Sequence, residues 1–398
     1  MPTYPTYKLG EIAKIYNGNS INAEEKERKY RGIDGRNYIG TKDIEFDCSV
    51  NYNNGVRIPF DEKKFKIAPA GSVLVCAEGG SAGKKSAYIT EDVCFGNKLF
   101  AITNNQDLFD GKYVFYYTRW KRFFDLFKNE LSGLIGGVSS KKFGEIPIPL
   151  PLLPTQQAIV TRIETLFAEL DKAVQHLRTA QQQLKTYRQA VLNHWLNNDD
   201  GKWEMVKLGE VVDVRDGTHD TPKYVQTGIP FVTQKNITET GISFSNVQYI
   251  TEQDHLKFHE RSNVARNDIL IAMIGANRGN ATIVNTDVVF SIKNVGLLKY
   301  TPDKFNNRFL LYYLRSQTAV NYIKKQSKGG AQEFIGLKEL RCFPVLCPPL
   351  TEQQRIVKEI ESRLSQATAT ETYIENALQQ AEALRQSILK KAFSGELV

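Results

Sequence analysis

The chain has 398 residues, of which 41% are hydrophobic and 24% charged, and its net charge is +8. This composition is typical of a soluble globular protein with two domains, and no apolar run approaches the roughly 20 residues of a membrane-spanning helix. The N-terminal residues lack the apolar stretch of a signal peptide, so we expect a cytoplasmic protein. The five cysteines form no CxxC pair, which argues against a zinc site or a disulfide framework.

The sequence contains an internal duplication. The segment PTQQAIVTRIETLFAEL from Pro154 returns as TEQQRIVKEIESRLSQA from Thr351, 197 positions later (351 − 154 = 197), and KLGE at Lys8 returns at Lys207. Each copy reads as a globular segment followed by a long helix. We therefore predict a first domain over residues 1–154, a helix and linker over 155–200, a second domain over 201–350 and a C-terminal helix over 351–398.

The positive charge is confined to the two predicted domains. Residues 1–154 contain 22 basic and 18 acidic residues, and residues 201–350 contain 19 and 14. Residues 155–200 contain five of each, and residues 351–398 contain six basic and seven acidic. Basic domains joined to neutral helices favour a polyanion as the ligand of the domains and protein as the ligand of the helices. An ordinary solvated surface would give the same counts.

Each predicted domain has the pattern of a mixed α/β fold. Strand-like runs lie at residues 72–76 and 268–272, and aromatic-rich helical runs lie at residues 113–127 and 308–323. At helical spacing such aromatic residues are expected in the core rather than as platforms for base stacking.

A glycine-rich polar loop follows each of these strands. Residues 78–85 read EGGSAGKK, and residues 275–280 read GANRGN. The first loop is not a phosphate-binding P-loop, because three rather than four residues separate Gly79 from Gly83 and no Ser or Thr follows Lys84. Both loops have flexible backbone and cationic side chains, and the second adds amides; such groups can reach phosphates and base edges.

Further matched loops precede the long helices and follow the early strands. We predict that the DNA contacts lie in these loops, although plain solvated loops would have a similar composition. Amide and arginine side chains suit base edges and lysines suit phosphates. The candidate base readers are Asn236, Asn277, Arg278 and Gln332, the candidate phosphate contacts are Lys42, Lys84, Lys85, Lys141, Lys235 and Lys328, and the remaining candidates in the same loops are Ser139, Ser140, His219 and Asn280.

The two helical segments carry apolar residues in alternating steps of three and four. This heptad pattern predicts that each helix packs against another long helix, and the second copy supplies that partner. About 40 residues make a rod of roughly 60 Å, which exceeds the 34 Å or so of one DNA turn. A coiled coil that only dimerises the protein is the alternative. The predicted interface residues are Ile163, Leu166, Leu170, Leu177, Leu184, Ile360, Leu364, Ile374, Leu384 and Ile388.

Catalytic patterns are not found in the sequence. It has no nucleophile elbow, no Asn-Pro-Pro-aromatic motif and no nuclease carboxylate cluster. His255 and His259 are spaced i, i+4, but with no third ligand in view we expect solvated side chains rather than a metal site.

With the duplication, the proline-rich helix entries PLPLLPTQQAIV and CPPLTEQQRIV, the heptads and the terminal KKAFSGELV, the chain resembles the specificity subunits of type I restriction-modification systems. The resemblance implies two α/β target-recognition domains on an antiparallel helix pair, each reading half of a bipartite DNA site. Gln156, Gln157, Gln353 and Gln354 match the helix starts of that family, which leaves their role open. Because the domains differ more than the helices, the site should be asymmetric.

The resemblance also implies partners. Two methyltransferase subunits would bind the helices and restriction subunits would join the complex, with S-adenosylmethionine, ATP and Mg²⁺ on those partners and no cofactor in this chain. The chain itself would be non-catalytic. The alternative is a coiled-coil structural adaptor that does not bind DNA sequence-specifically.

Overall fold

A computed structural model describes residues 4–104, 108–131, 137–198, 201–275, 277–327 and 333–398. The helices are α1 (Leu9–Ile12), α2 (Ala23–Lys29), α3 (Gly111–Thr118), α4 (Lys121–Asn129), α5 (Ser140–Gly144), α6 (Leu153–Leu196), α7 (Leu208–Val211), α8 (Glu252–Ser262), α9 (Asn307–Arg315), α10 (Gln317–Gln326), α11 (Leu337–Arg341) and α12 (Leu350–Ser394). Two short 3-10 turns cover Thr41–Asp43 and Gln234–Asn236.

The strands follow the same duplicated order. They are β1 (Thr6–Lys8), β2 (Lys14–Asn17), β3 (Arg36–Ile39), β4 (Arg57–Ile58), β5 (Ile67–Ala68), β6 (Val73–Cys76), β7 (Ser86–Tyr88), β8 (Val93–Phe95), β9 (Leu99–Thr103), β10 (Pro147–Pro149), β11 (Met205–Lys207), β12 (Val214–Asp216), β13 (Ile229–Val232), β14 (Ile237–Thr238), β15 (Gly241–Ile242), β16 (Gln248–Ile250), β17 (Ile269–Ala272), β18 (Ala281–Ile283), β19 (Ser291–Ile292), β20 (Val295–Leu298) and β21 (Pro344–Leu346).

The chain forms two compact units, and each contains parts of both long helices. Unit 1 is Met1–Leu177 with Asn376–Val398, and unit 2 is Arg178–Glu375. Each unit therefore joins one globular domain to a segment of α6 and a segment of α12. The mixed α/β class, the repeated domains and the packing of the two long helices confirm the predicted fold. None of the helices in the described ranges is long and apolar enough to span a membrane.

The central sheet of unit 1 is buried on both faces. Its order is β2-β9-β6-β7, with antiparallel neighbours throughout. Along β6, Val73 and Val75 pack into the core beneath the helices, whereas Leu74 and Cys76 pack into a second core. That second core also holds residues of the sheet β4-β3-β8-β5, in which β3 and β8 run parallel. Two-sided burial explains why β6 reads as an unbroken apolar run.

Unit 2 repeats this arrangement. Its central sheet has the order β12-β20-β17-β18, and β13 runs parallel to β19 in the second sheet. In β17, Ile269 and Ile271 face the helical core, while Leu270 and Ala272 face the second core. The strand runs at residues 72–76 and 268–272 are thus confirmed as equivalent central strands.

One repeated glycine in each copy is required by a close backbone approach. A Cβ atom at Gly18 would lie 1.9 Å from the carbonyl oxygen of Phe95, and one at Gly217 would lie 2.2 Å from that of Ile292. These separations are shorter than any non-bonded contact, so the turn after β2 and the turn after β12 admit only glycine.

The aromatic residues of α3 form core rather than surface, as predicted. Tyr113 and Tyr117 are buried, and their hydroxyls donate to the carbonyl oxygens of Pro149 and Pro147. Phe393, from the terminal KKAFSGELV, packs edge-on against both tyrosines, with ring centroids at 5.1 and 5.2 Å. The C-terminal end of α12 is thereby part of the core of unit 1.

A buried glutamine ties each long helix to its domain. Gln156 has no exposed surface; its Oε1 accepts from the Asp110 amide at 2.9 Å, and its Nε2 donates to the Pro151 carbonyl at 2.8 Å. Gln353 is also fully buried and makes the equivalent bonds to the Asn306 amide and the Pro348 carbonyl, both at 2.8 Å. The neighbouring Gln157 and Gln354 are exposed.

Asp110 and Asn306 are the N-cap residues of α3 and α9. The glutamine of each copy therefore joins the start of a long helix to the start of the helix that covers the central sheet. On the next turns, Lys112 pairs with Glu164 at 2.7 Å, and Arg308 pairs with Glu361. These ion pairs are partly exposed, so they contribute less to stability than the buried amides do.

Two residue series that are buried or half-buried run along the long helices, each in strict heptad steps. The series in α6 is Ile163, Phe167, Leu170, Val174, Leu177, Gln181, Leu184, Arg188 and Val191. The series in α12, displaced by 197 at every position, is Ile360, Leu364, Ala367, Glu371, Ile374, Leu378, Ala381, Arg385 and Ile388. We refer to these two series as the helix seam.

Two of the predicted interface residues lie one position away from the seam. Leu166 is half-buried and packs against the core of unit 1, and Leu384 is 50% exposed. Arg385 takes the seam position next to Leu384, because its side chain is only 16% exposed and its guanidinium lies 5.0 Å from the Phe167 ring centroid. A long arginine stem can fill an apolar seam once its charge is paired.

The charge pairs of the seam show that the helices are antiparallel. In unit 1, Arg385 pairs with Asp171. In unit 2, the equivalent Arg188 pairs with Glu371 at 2.8 Å and bonds to Thr368, the counterpart of Asp171, at 3.1 Å. The partner number on α12 falls as the residue number on α6 rises.

Replacing Gln156 with Ala should destabilise unit 1. The substitution leaves the Asp110 amide and the Pro151 carbonyl without their buried partner, which costs about 1–3 kcal/mol for each unsatisfied group. The matched control is Gln157→Ala on the exposed side of the same turn, expected to stay within about 0.5 kcal/mol of the parent. Denaturant unfolding followed by circular dichroism measures both, and equal stability of the two variants would contradict the structural role.

Leu384 and Ile374 should respond differently to truncation. Ile374 is 3% exposed within the seam, so Ile374→Ala should lower the free energy of unfolding by about 2–5 kcal/mol. Leu384→Ala removes a largely exposed side chain and should change it by less than about 0.5 kcal/mol. Thermal melts of the two variants provide the comparison. A larger loss for Leu384 would show that Leu384 rather than Arg385 occupies the seam at that turn of α12.

Candidate nucleic-acid interface

The two predicted loops of unit 1 lie side by side. Glu78 and Gly137 form an antiparallel bridge, and the Val138 amide donates to the Ala77 carbonyl at 3.2 Å. This pairing brings the glycine-rich loop after β6 next to the segment that leads into α5. Lys84, Ser140 and Lys141 are exposed on these two segments. Ser139 is exposed too, and its Oγ caps α5 by accepting from the Lys142 amide at 3.3 Å.

Unit 2 joins its two loops in the same way. Ile274 bridges to Phe334, and the Gly275 amide donates to the Glu333 carbonyl at 3.1 Å. Asn277 and Asn280 are exposed on the glycine-rich loop. The predicted contacts Lys328 and Gln332 belong to the second loop and lie outside the described residues.

Arg278 links the two loops of unit 2. Its side chain is 11% exposed, and its Nη2 pairs with Glu333 Oε2 at 2.6 Å. Its Nη1 also donates to the carbonyl oxygens of Gly275 and Glu333, at 3.4 and 3.3 Å. In this arrangement the guanidinium holds the loops together through Nη1 and Nη2, which bond to protein atoms.

The two 3-10 turns present one lysine each. Lys42 and Lys235 are exposed, whereas the next residues, Asp43 and Asn236, are buried. Asp43 Oδ2 accepts from the Gly40 amide at 2.8 Å. Asn236 Oδ1 accepts from the Thr233 amide at 2.9 Å, and its Nδ2 donates to the Ser243 carbonyl at 3.0 Å.

The Asn236 side chain thus stabilises its own turn and has little capacity left to read a base. The sequence contains evidence for this capping role, because the residue of the first copy that corresponds to Asn236 is the acidic Asp43, at an offset of 193 (236 − 43 = 193). A carboxylate and an amide oxygen cap the same kind of turn, but they read different bases.

Lys85 and His219 also use their polar groups within the protein. Lys85 is 9% exposed, and its Nζ lies 4.7 Å from the centroid of the Phe46 ring. His219 has Nε2 at 3.1 Å from Asp216 Oδ2 and Nδ1 at 2.6 Å from Asn294 Oδ1. Both residues belong to the predicted loops, and in both the polar group contacts other protein atoms.

Unit 2 contains a cleft of about 560 Å³ with amide-rich walls. Gln234, Asn246 and Gln248 line it and have no side-chain hydrogen bond to any described residue, and Lys235 lies at its edge. Tyr224, which is 42% exposed, forms another part of the wall. Ile274 joins this cleft to the paired loops, so the 3-10 turn and the glycine-rich loop belong to one surface.

Unit 1 has a smaller cleft of about 240 Å³ beside its glycine-rich loop. Phe46 is 66% exposed at its wall, and Arg119, Lys121 and Lys84 line it together with Arg385. Phe46, Arg119 and Lys121 match no sequence motif, and only the fold brings Phe46 next to the other two. This cleft is not the counterpart of the amide-rich cleft, because its walls include residues of α4, α6 and α12 instead of the 3-10 turn.

The histidine pair of α8 is partly buried, and the expectation of two solvated side chains is wrong for His255. That residue is 7% exposed, and its Nδ1 lies 2.9 Å from Ser291 Oγ. The reason is that α8 packs against β19, which turns His255 toward the sheet. Burial lowers the pKa of His255, and the ring of His259 at 5.2 Å adds to the lowering. Among the described residues no group of three or more His, Cys, Asp or Glu side chains could hold a metal ion.

The chain is similar to known proteins over most of its length. The family model for the type I restriction modification DNA specificity domain matches residues 1–177 and 200–380. The specificity subunit of the type I restriction enzyme EcoBI of Escherichia coli is 25% identical, over 98% of this chain and 85% of its own length. The EcoKI specificity subunit of Escherichia coli K12 is 26% identical, over 83% of this chain and 76% of its own length.

Two solved structures share the fold over nearly the whole chain. A chain from a structure of a type I restriction-modification assembly has a TM-score of 0.78 and 19% identity, covering 100% of this chain and 99% of its own. The HsdS subunit from Thermoanaerobacter tengcongensis has a TM-score of 0.59 and 20% identity, covering 99% and 97%. At these identities the similarity shows the fold.

His255 should make unit 2 sensitive to mild acid. In the folded protein the pKa of His255 lies below the ordinary value of about 6.5. As the pH falls, the unfolded chain therefore takes up a proton at a higher pH than the folded protein does. The free energy of unfolding accordingly decreases as the pH drops below about 6.5. His255→Gln removes this titration, so its melting temperature should fall less between pH 7.5 and 5.5 than that of the parent. His176→Gln, on an exposed turn of α6, is the control and should behave like the parent. An unchanged acid response in His255→Gln would contradict the assignment.

Proposed function

We propose that each of the two domains of this chain reads one half of a bipartite DNA site. The chain belongs to the type I restriction modification DNA specificity family. The observation that carries the proposal is the paired-loop surface, which both units build from the same elements. In each unit a backbone bridge joins the glycine-rich loop to the segment before the long helix, at Glu78–Gly137 and at Ile274–Phe334. A duplicated surface with different side chains suits two half-sites of different sequence.

Four lysines supply the sequence-independent part of the interaction. Lys42, Lys84, Lys141 and Lys235 are exposed, and none of them forms an ion pair with a described residue. Phosphate contacts position a protein on the duplex and provide most of its salt-dependent affinity, whereas base contacts provide specificity. In unit 2, Lys235 lies at the edge of the amide-rich cleft, so a cation that suits phosphate and amides that suit base edges occur on one surface.

The long helices supply the separation between the half-sites. α6 has 44 residues and α12 has 45, so each is about 66 Å long at 1.5 Å per residue. This length exceeds one turn of DNA, about 34 Å. Because the helix sequences themselves repeat at a constant offset of 197, we expect the two helices to present related outer surfaces. That repetition suits two copies of one partner, a methyltransferase subunit, with restriction subunits joining the complex.

The chemistry of methylation and cleavage would then belong to the partners. S-adenosylmethionine, ATP and Mg²⁺ would bind those subunits, and this chain would contribute recognition and assembly in the cytoplasm. The competing function is a structural adaptor whose domains bind protein. The two functions differ in their response to salt, because only a phosphate-binding surface releases counterions from DNA.

A salt series with Lys235→Ala tests the DNA contacts. The logarithm of the association constant for the target duplex should fall linearly with the logarithm of the salt concentration. Loss of one phosphate contact should reduce the slope by about 0.9. Fluorescence anisotropy measures this for the parent, for Lys235→Ala and for a control, Lys304→Ala, which removes an exposed lysine elsewhere in unit 2. A flat salt response of the parent would favour the adaptor, and equal slopes for all three proteins would remove Lys235 from the interface.

A further inference from the structure

The amide-rich cleft of unit 2 contains hydrogen-bonding capacity that the fold does not use. Gln234 begins the 3-10 turn, Asn246 lies in the loop before β16, and Gln248 is the first residue of β16. None of their side chains bonds to a described residue. Two other amides of the same cleft differ, because Asn236 caps its turn and Asn294 bonds to His219.

Backbone geometry explains only one of the three free amides. Asn246 has a φ of 57°, and this left-handed conformation by itself favours asparagine. Neither Gln234 nor Gln248 is among the residues with positive φ, so backbone conformation does not account for the amide group at these positions. An exposed glutamine is an ordinary surface residue when it stands alone, but two of them with Asn246 in one cleft form a directed set of donors and acceptors.

The equivalent part of unit 1 lacks such a set. Ile58 of β4 pairs with the first residue of β3, and Ile250 of β16 pairs with the first residue of the equivalent strand β13. Counting back two and four residues from these positions, Val56 corresponds to Gln248 and Asn54 to Asn246. Val56 is buried, and both polar atoms of Asn54 are bonded, to the Tyr38 carbonyl and the Val56 amide. The free amides therefore belong to one domain of the duplicated pair.

The charge of the cleft fits a nucleic acid. Its walls include Lys235 and Lys293 but no Asp or Glu. A side-chain amide offers one donor and one acceptor side by side, which match N7 and the N6 amino group of adenine in the major groove. Guanine presents two acceptors at the same edge and is matched by arginine, yet the Arg278 guanidinium beside this surface is bonded to Glu333.

We propose that Gln234, Asn246 and Gln248 are specificity-determining residues that read adenine-containing base pairs in the half-site of unit 2. This inference rests on the proposed function and adds the side chains and the base class. It assigns no comparable amide reading to unit 1, so it also accounts for different half-sites on a duplicated scaffold.

Mapping of methylated adenines in cells tests the inference. The full chain is expressed with its methyltransferase partner in a host without other adenine methylation, and the methylated motif is read from the genome. Gln234→Ala, Asn246→Ala and Gln248→Ala should each relax one or two positions of the same half-site, with preference for the original base falling on the order of tenfold to a hundredfold. Gln253→Ala, an exposed amide on α8 outside the cleft, is the matched control and should keep the parental motif.

A second variant of Gln248 tests the hydrogen-bonding chemistry itself. Gln248→Glu keeps the shape of the side chain but offers hydrogen-bond acceptors only. At the base position that Gln248 reads, the preference should therefore change from adenine toward cytosine, whose N4 amino group donates. Co-purification of each variant with the partner, at the parental yield, shows that the fold is intact.

The results separate the two proposals. A parental complex that produces no bipartite motif would overturn the proposed function together with this inference. A parental bipartite motif that all cleft variants retain would overturn this inference alone. Changes scattered over both half-sites would also overturn it, because the three residues lie in one unit.

Discussion

The architecture depends on one repeated interaction, the buried glutamine at the start of each long helix. Gln156 and Gln353 each join a helix start to the N-cap of the helix that covers the central sheet. A buried amide that has lost its water must find partners, so the geometry of this junction has few alternatives. These directional hydrogen bonds therefore add to the apolar packing of Ile159 and Ile356 in orienting each domain on its own helix start.

The helix seam adds a second constraint through its charged residues. Arg188 and Arg385 occupy equivalent seam positions, and each pairs with an acidic residue of the other helix within its unit. An antiparallel pair of apolar stripes could slip by a heptad at small cost, whereas a half-buried arginine without its partner carboxylate is costly. The paired arginines accordingly specify a register, and a fixed register is what a spacer between two half-sites requires.

The duplicated parts and the divergent parts of the molecule are separated by their physical roles. Glycine at 18 and 217, the glutamine junctions and the seam are repeated because each answers a steric or hydrogen-bonding demand of the shared fold. The loop surfaces meet no such demand. The cleft of unit 2 could acquire free amides while unit 1 kept a buried valine at the position of Gln248, and the sheets beneath stayed the same.

The sequence by itself determined the duplication, the α/β class, the central strands and the presence of two long packed helices, because each of these follows from local periodicity or from comparison at a constant offset. The tertiary structure decided which residues those patterns serve. Apolar spacing selected Leu384 for the seam, whereas the paired and stacked Arg385 fills that place. Residue type selected Asn236 and Arg278 as base readers, whereas Asn236 caps its own turn, the Nη atoms of Arg278 bond to the protein, and Gln248 is left free. The reason is that burial and the pairing of polar groups depend on residues distant in the chain, which composition and spacing do not specify.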